Sequence, residues 1–166
     1  DPRLTVSLAV KGGITHQQPL RIVIDGKGRT PPSARIFEEP GKTLVVVGDN
    51  VAKNTLQALR ERGAEILALP ARDGRVDMRE LMRILGQKEI TSVLVETGGI
   101  LLGSLFDARL VDKVIAFLAP IIIGGEKARP SVAGLGADKL VDSFKLTNLK
   151  VEQVGQDIMA SGYVVK

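Results

Sequence analysis

Short apolar runs alternate with helix-period stretches along this chain, and that order restricts its fold more than any other feature. Leu20 to Asp25 (LRIVID) and Thr43 to Gly48 (TLVVVG) are rich in Val and Ile and bounded by Pro, Gly and charged residues, the pattern of buried strands. Between them Gly26, Gly28, Pro31, Pro32 and Pro40 punctuate a loop too broken for a useful helix. Asp49-Asn50 offers a cap for a helix over Val51 to Arg62, which places Val51, Leu56 and Leu59 on one face and ends at Gly63. Glu65 to Leu69 reads as the next strand, and Asp77 caps a helix through Leu81, Met82 and Leu85 to Gly86. Ser92 to Glu96 reads as a further strand, and the helix after Gly99 carries Leu101, Leu102, Leu105 and Phe106 before ending near Ala108. After a strand at Val114 to Leu118 the pattern changes. Phe144 to Val154 and Asp157 to Val165 are two strands joined around Gly155 with no helix between them, a hairpin pattern. Strands joined by helices, then an antiparallel ending, predict an α/β fold: a mixed, mostly parallel sheet with helices on both faces and a C-terminal antiparallel hairpin.

At 166 residues the chain has the length of one domain with a self-sufficient core. Its longest apolar run, Val114 to Ile123, is interrupted by Pro120 and stops at Gly124-Gly125, well short of the roughly 20 residues of a membrane helix. No cationic stretch followed by an apolar core opens the chain, so no export signal is expected. The absence of cysteine excludes disulfides, thiolate metal sites and thiol nucleophiles. The single histidine, His16, lies in a polar stretch beside Thr15 and Gln17, and one histidine supports neither a histidine metal cage nor a Ser-His-acid triad. A net charge of +4 favours anionic partners in general, but the basic residues are dispersed among acids and aromatics are only 3% of the chain. Nucleic acid is therefore not the expected partner. Arg60, Arg62, Arg72, Arg75, Arg79 and Arg83 fall on several sides of helices and in loops, as solvated side chains do.

Residues 92 to 106 place a strand, Glu96, Gly98-Gly99 and a helix start in succession. A strand-glycine-helix turn leaves the first amides of the helix free to meet a phosphate, although the same order also serves as an ordinary turn in an α/β domain. Glu96 favours a ligand, because a carboxylate just before such a turn is unneeded for folding. Gly124-Gly125, with Lys127 and Arg129, reads either as a second phosphate-approach loop or as a chain reversal.

The blocks Asp1-Pro2-Arg3-Leu4-Thr5-Val6, Pro19 to Asp25 with Arg29, Pro31 and Ala34-Arg35, Val95-Glu96-Thr97-Gly98-Gly99, Leu110 to Val114, Ala119-Pro120-Ile121 with Gly124-Gly125, and Gly134-Leu135-Gly136 run in the order of a known family. The chain closely resembles the reductase domain of riboflavin biosynthesis. That resemblance implies a dihydrofolate-reductase-like fold and NADPH-dependent reduction of the ribosyl group of 5-amino-6-(5-phosphoribosylamino)uracil to a ribityl group. It also implies a cytoplasmic location, a homodimer, and in many bacteria a deaminase domain in the same polypeptide. Residues 1–166 correspond to a reductase domain that lacks the family's opening strand, helix and second strand.

By the same resemblance, Val23, Ile24, Asp25 and Gly26 end the strand that runs beside NADPH, with Gly26 standing where some members carry serine. Gly98, Gly99, Ile100, Leu101, Leu102, Gly103 and Ser104 match the turn and helix start that receive the pyrophosphate. Glu96 matches a substrate-contacting acid, Leu4 lines the substrate site, and Ser7 stands where some relatives place a basic residue for the substrate phosphate. Lys27 and Arg29 read either as partners of a 2′-phosphate or as exposed loop residues. No catalytic proton donor and no metal ligand is identified. A non-catalytic nucleotide-binding or dimerisation fragment of a larger protein is the alternative reading.

Overall fold

The computed structural model describes Pro2, Leu4, Thr5 and residues 18–165. His16 and Ser7 lie outside the described residues. The chain divides into two compact units, Asp1–Leu85 and Gly86–Lys166, each with its own three-stranded ladder.

In the first unit β1 (Arg21–Asp25), β2 (Thr43–Gly48) and β3 (Ala64–Leu69) form a parallel sheet in that order. The central strand is buried throughout, and Leu44, Val45, Val46 and Val47 are fully enclosed. This is why a continuous apolar run, rather than an alternating one, encodes it. Helix α1 (Lys53–Glu61) buries Leu59 with Val45, Val47 and Ala64, surrounded by Val23, Phe37, Val51, Leu56 and Ile66. Enclosing each such aliphatic side chain contributes about 1.5–3 kcal/mol. The expected Asp49-Asn50 cap is not formed. The Val51 amide bonds the Gly48 carbonyl and the Asp49 amide bonds the Leu69 carbonyl, so these residues shape the turn leaving β2. The helix starts after Ala52, which makes no side-chain cap.

Asp77 does cap α2 (Met78–Gln87): its Oδ1 accepts hydrogen bonds from the Arg79 and Glu80 amides at 2.9 and 3.2 Å. Met78, Leu81 and Leu85 form the buried side of that helix. A hairpin not foreseen from sequence joins β4 (Ala71–Arg72) to β5 (Arg75–Val76). Asp73 and Gly74 at its tip both have positive φ, 53° and 75°, as a two-residue hairpin turn requires. The Arg21 side chain is buried and donates from Nη2 to the Glu39 and Gly41 carbonyls, each at 2.9 Å, which pins the loop entering β2.

The second unit holds α3 (Gly99–Asp107) and the antiparallel ladder of β6 (Lys113–Leu118), β8 (Asp157–Val164) and β7 (Leu146–Val154), with β8 central. The hairpin turns at Gly155, φ 63°, as expected. A bulge between Thr147 and Lys150 places Asn148 at φ 51°. The Phe144 ring lies 5.2 Å from that of Phe106, and the Arg109 guanidinium stands 5.6 Å over the same ring, so the C-terminal end of α3 is tied to the start of the hairpin.

The expected strand at Ser92 to Glu96 is absent: the segment joins neither ladder, and Val93 and Leu94 are exposed. Its composition suits a strand, but a strand also needs a neighbour's amides and carbonyls, and no described residue offers them. Beyond β6, Ile121, Ile122 and Ile123 follow Pro120 with 71%, 98% and 87% of their surface exposed. Among the described residues, no helix is long and apolar enough to cross a membrane.

Candidate functional site

The carboxyl end of the parallel sheet carries the first group of candidate residues. Val23 and Ile24 are half-buried on β1, opposite Val45 and Val46 of β2, and Asp25 and Gly26 are buried where the strand ends. The Asp25 carboxylate turns inward to its own loop: Oδ2 accepts the amide and the hydroxyl of Thr30, both at 2.6 Å. Burial alone would raise its pKa. The Arg29 amide, the Thr30 hydroxyl and amide and the Arg29 charge outweigh it, so the carboxyl is held below its ordinary value.

The Gly26 carbonyl accepts the Gly48 amide at 3.2 Å, and a Cβ at Gly26 would collide with the Gly74 carbonyl. The turn of the β4–β5 hairpin thus rests on Gly26, and Gly28, φ 64°, sits against Val51. Lys27 lies along Gly74, and both Lys27 and Arg29 are exposed. The loop is a formed cradle whose acid is spent internally and whose cations face outward.

The second group surrounds the start of α3. Gly98 is extended, with φ −79° and ψ 164°, and Gly99 begins the helix, so neither glycine is there for a left-handed turn. Their reasons differ from the expected one. A Cβ on Gly98 would enter open space, whereas one on Gly99 would strike the Pro130 carbonyl and one on Gly103 the Ala133 carbonyl.

Leu102 donates to the Gly98 carbonyl at 3.3 Å, and no side chain caps the helix. The amides of Gly99, Ile100 and Leu101 therefore lie ahead of the intrahelical ladder, available to an anion. Ser104 is already engaged, donating its hydroxyl to the Ile100 carbonyl at 3.1 Å, and Gly103 is buried. The ligand-facing part of the expected Gly98 to Ser104 stretch is thus its first turn. Glu96 is exposed two residues before Gly98. Leu4 is half-buried with φ 49°. Gly124 and Gly125, at φ 65° and 92°, make a chain reversal in which the Ala128 amide bonds the Gly125 carbonyl.

The model of the RibD C-terminal domain matches residues 1–160. The chain belongs to that family. Within it, the chain is 33% identical over 166 residues to the 2,5-diamino-6-ribosylamino-4(3H)-pyrimidinone 5′-phosphate reductase of Methanothermobacter thermautotrophicus, covering all of this chain and 74% of that one. It is 32% identical over 152 residues to the riboflavin biosynthesis protein RibD of Actinobacillus pleuropneumoniae, covering 90% of this chain and 40% of that protein. This chain thus spans under half the length of that bacterial relative. Among solved structures, the diaminohydroxyphosphoribosylaminopyrimidine deaminase/5-amino-6-(5-phosphoribosylamino)uracil reductase of Thermotoga maritima shares the fold, with a TM-score of 0.69 at 23% identity over 99% of this chain and 41% of that one.

The sequence reading missed three contributors to the two groups. Thr30 and the β4–β5 hairpin were hidden in a loop-like stretch, although Asp73-Gly74 was a legible turn signal. Asp107, which accepts the Leu135 amide at 3.0 Å, was signalled only by an acid at the C-terminal end of a helix, where the dipole disfavours it.

Proposed function

We propose that this RibD C-terminal domain is the NADPH-dependent reductase that converts the ribosyl group of 5-amino-6-(5-phosphoribosylamino)uracil to a ribityl group. The observation that carries this reading is the uncapped first turn of α3, with the amides of Gly99, Ile100 and Leu101 ahead of the ladder beside a Gly98 that leaves room for a ligand. A dinucleotide's pyrophosphate fits such a donor set. Lys27 and Arg29, exposed on the clasped loop after β1, suit a 2′-phosphate and favour NADPH over NADH.

When bound, a reduced nicotinamide supplies the hydride, which is why the chain needs neither a nucleophile nor a metal. The chain's own part is placement: amides at α3 receive the diphosphate, and by the family resemblance Val23 to Gly26 bind cofactor and Leu4 and Ser7 bind substrate. Glu96, which is exposed, accepts hydrogen bonds from the aminopyrimidine's N–H groups and sets its orientation. Residues 1–166 belong to one reductase domain, and the bifunctional Thermotoga maritima protein is the precedent for a deaminase domain as its partner in one polypeptide. The working form is a cytoplasmic homodimer.

The test is NADPH consumption by the full-length gene product, supplied with the aminouracil ribosyl phosphate and, separately, with the diaminopyrimidinone named for the Methanothermobacter relative. Turnover with either compound and none without it is expected. Glu96→Gln raises KM for the pyrimidine about tenfold while leaving NADPH affinity within about twofold, the scale of one hydrogen bond to a charged acceptor. Unchanged steady-state constants in that variant remove Glu96 from the substrate site. NADPH binding without turnover on either compound leaves only a nucleotide-binding module.

A further inference from the structure

Residues 130–135 lie along one face of α3. At Gly99 the Pro130 and Ser131 carbonyls occupy the space a side chain would need, and one helical turn later the Ala133 carbonyl does so at Gly103. The Ala133 amide donates to the Gly99 carbonyl at 3.0 Å. One turn further on, Asp107 Oδ2 accepts the Leu135 amide at 3.0 Å, beside Gly134, whose φ of 102° only glycine holds easily and whose Cβ would stand 2.6 Å from that same oxygen. The spacing 99, 103, 107 puts two glycines and one acid on a single stripe of the helix. The glycines let a backbone strap approach, and the acid fastens its far end.

An aspartate at the last residue of a helix opposes the macrodipole, and no basic side chain sits in that turn to offset it. Its hydrogen bond to the strap gives it a reason to be there. The opposite end of the strap meets Gly99, the first residue of the turn assigned above to the pyrophosphate. First turns of helices fray, and a turn that must be ordered by its ligand binds more weakly than one already ordered.

We propose that Asp107 is a positioning residue of the nucleotide site: it anchors the 130–135 strap along the glycine face of α3 and so holds the helix's first turn in the geometry that receives the diphosphate. This rests on the nucleotide reading of α3, and the experiment separates the two. Asp107→Ala, Asp107→Asn and Gly103→Ala are compared with the parent in the full-length gene product. The readouts are NADPH titration, kcat, and hydrogen exchange, without nucleotide, of the Ala133 amide and of the Leu102 amide that closes the first turn on the Gly98 carbonyl.

Asp107→Ala raises the NADPH dissociation constant about fivefold, leaves kcat within about twofold, and speeds exchange at Ala133 and the first turn. Asp107→Asn, which keeps an acceptor oxygen but no charge, stays close to the parent, while Gly103→Ala, which pushes the Ala133 carbonyl away, behaves like Asp107→Ala. Parental exchange at Ala133 and the first turn in Asp107→Ala overturns the anchoring role, as does equal weakening by the Ala and Asn variants. A parent that does not bind NADPH overturns the nucleotide reading, and the exchange data still decide whether Asp107 holds the strap.

Discussion

The turn after β1 and the start of α3 hold backbone in fixed shape by opposite means. At the first, a buried carboxylate gathers the Thr30 amide and hydroxyl, and side-chain chemistry closes the loop. At the second, side chains are missing where the chain needs to come close, and the carbonyls of Pro130 and Ala133 fill the room left by Gly99 and Gly103. The first device carries a charge and responds to protons. At its glycine contacts the second depends on shape, and pH leaves those contacts untouched.

The largest expected effect breaks the first device outright. Asp25→Ala removes a buried acceptor of short, charge-assisted bonds and leaves the half-buried Thr30 donors without it, a loss of about 3 kcal/mol in urea denaturation of the parent protein. A loss no greater than that of a surface substitution would show that the clasp does not stabilise the loop. Gly26→Ser comes next. Its Cβ meets the Gly74 carbonyl, so the β4–β5 turn has to move, at a cost of about 2 kcal/mol. An unchanged denaturation midpoint would mean that this turn yields freely.

The smallest effect sharpens the contrast by pH. Because the folded-state pKa of Asp25 is lowered from 3.8, its contribution is fully present above that value and is lost as pH falls through the lower folded one. Denaturation midpoints followed from about pH 5 to about pH 2 should fall less steeply in Asp25→Asn than in the parent. Parallel acid limbs in the two proteins would assign the acid sensitivity to other carboxylates.

Legibility from sequence followed how local the cause was. The buried run Thr43 to Gly48, the Asp77 cap and the turn at Gly155 each depend on a few neighbouring residues, and each was readable. Ser92 to Glu96 failed because strand propensity says nothing of whether a partner is present. Asp49-Asn50 had the right chemistry for a cap, but hydrogen bonds to Gly48 and Leu69 drew the chain into a turn. At the candidate site, Gly98-Gly99 was found for a reason that holds only in part. The pair was read as a sharp turn, whereas Gly98 leaves room for a ligand and Gly99 leaves room for residues about thirty positions on, a contact no local pattern encodes.

Pro120 has an importance its plain setting in a loop conceals. It stands between the end of β6 and three successive isoleucines that face solvent, a composition that favours stacking with identical copies into cross-β fibres. Lacking an amide hydrogen and fixed in φ, the imino acid breaks the run from Val114 to Ile123, and a broken run templates identical strands less readily than a continuous one.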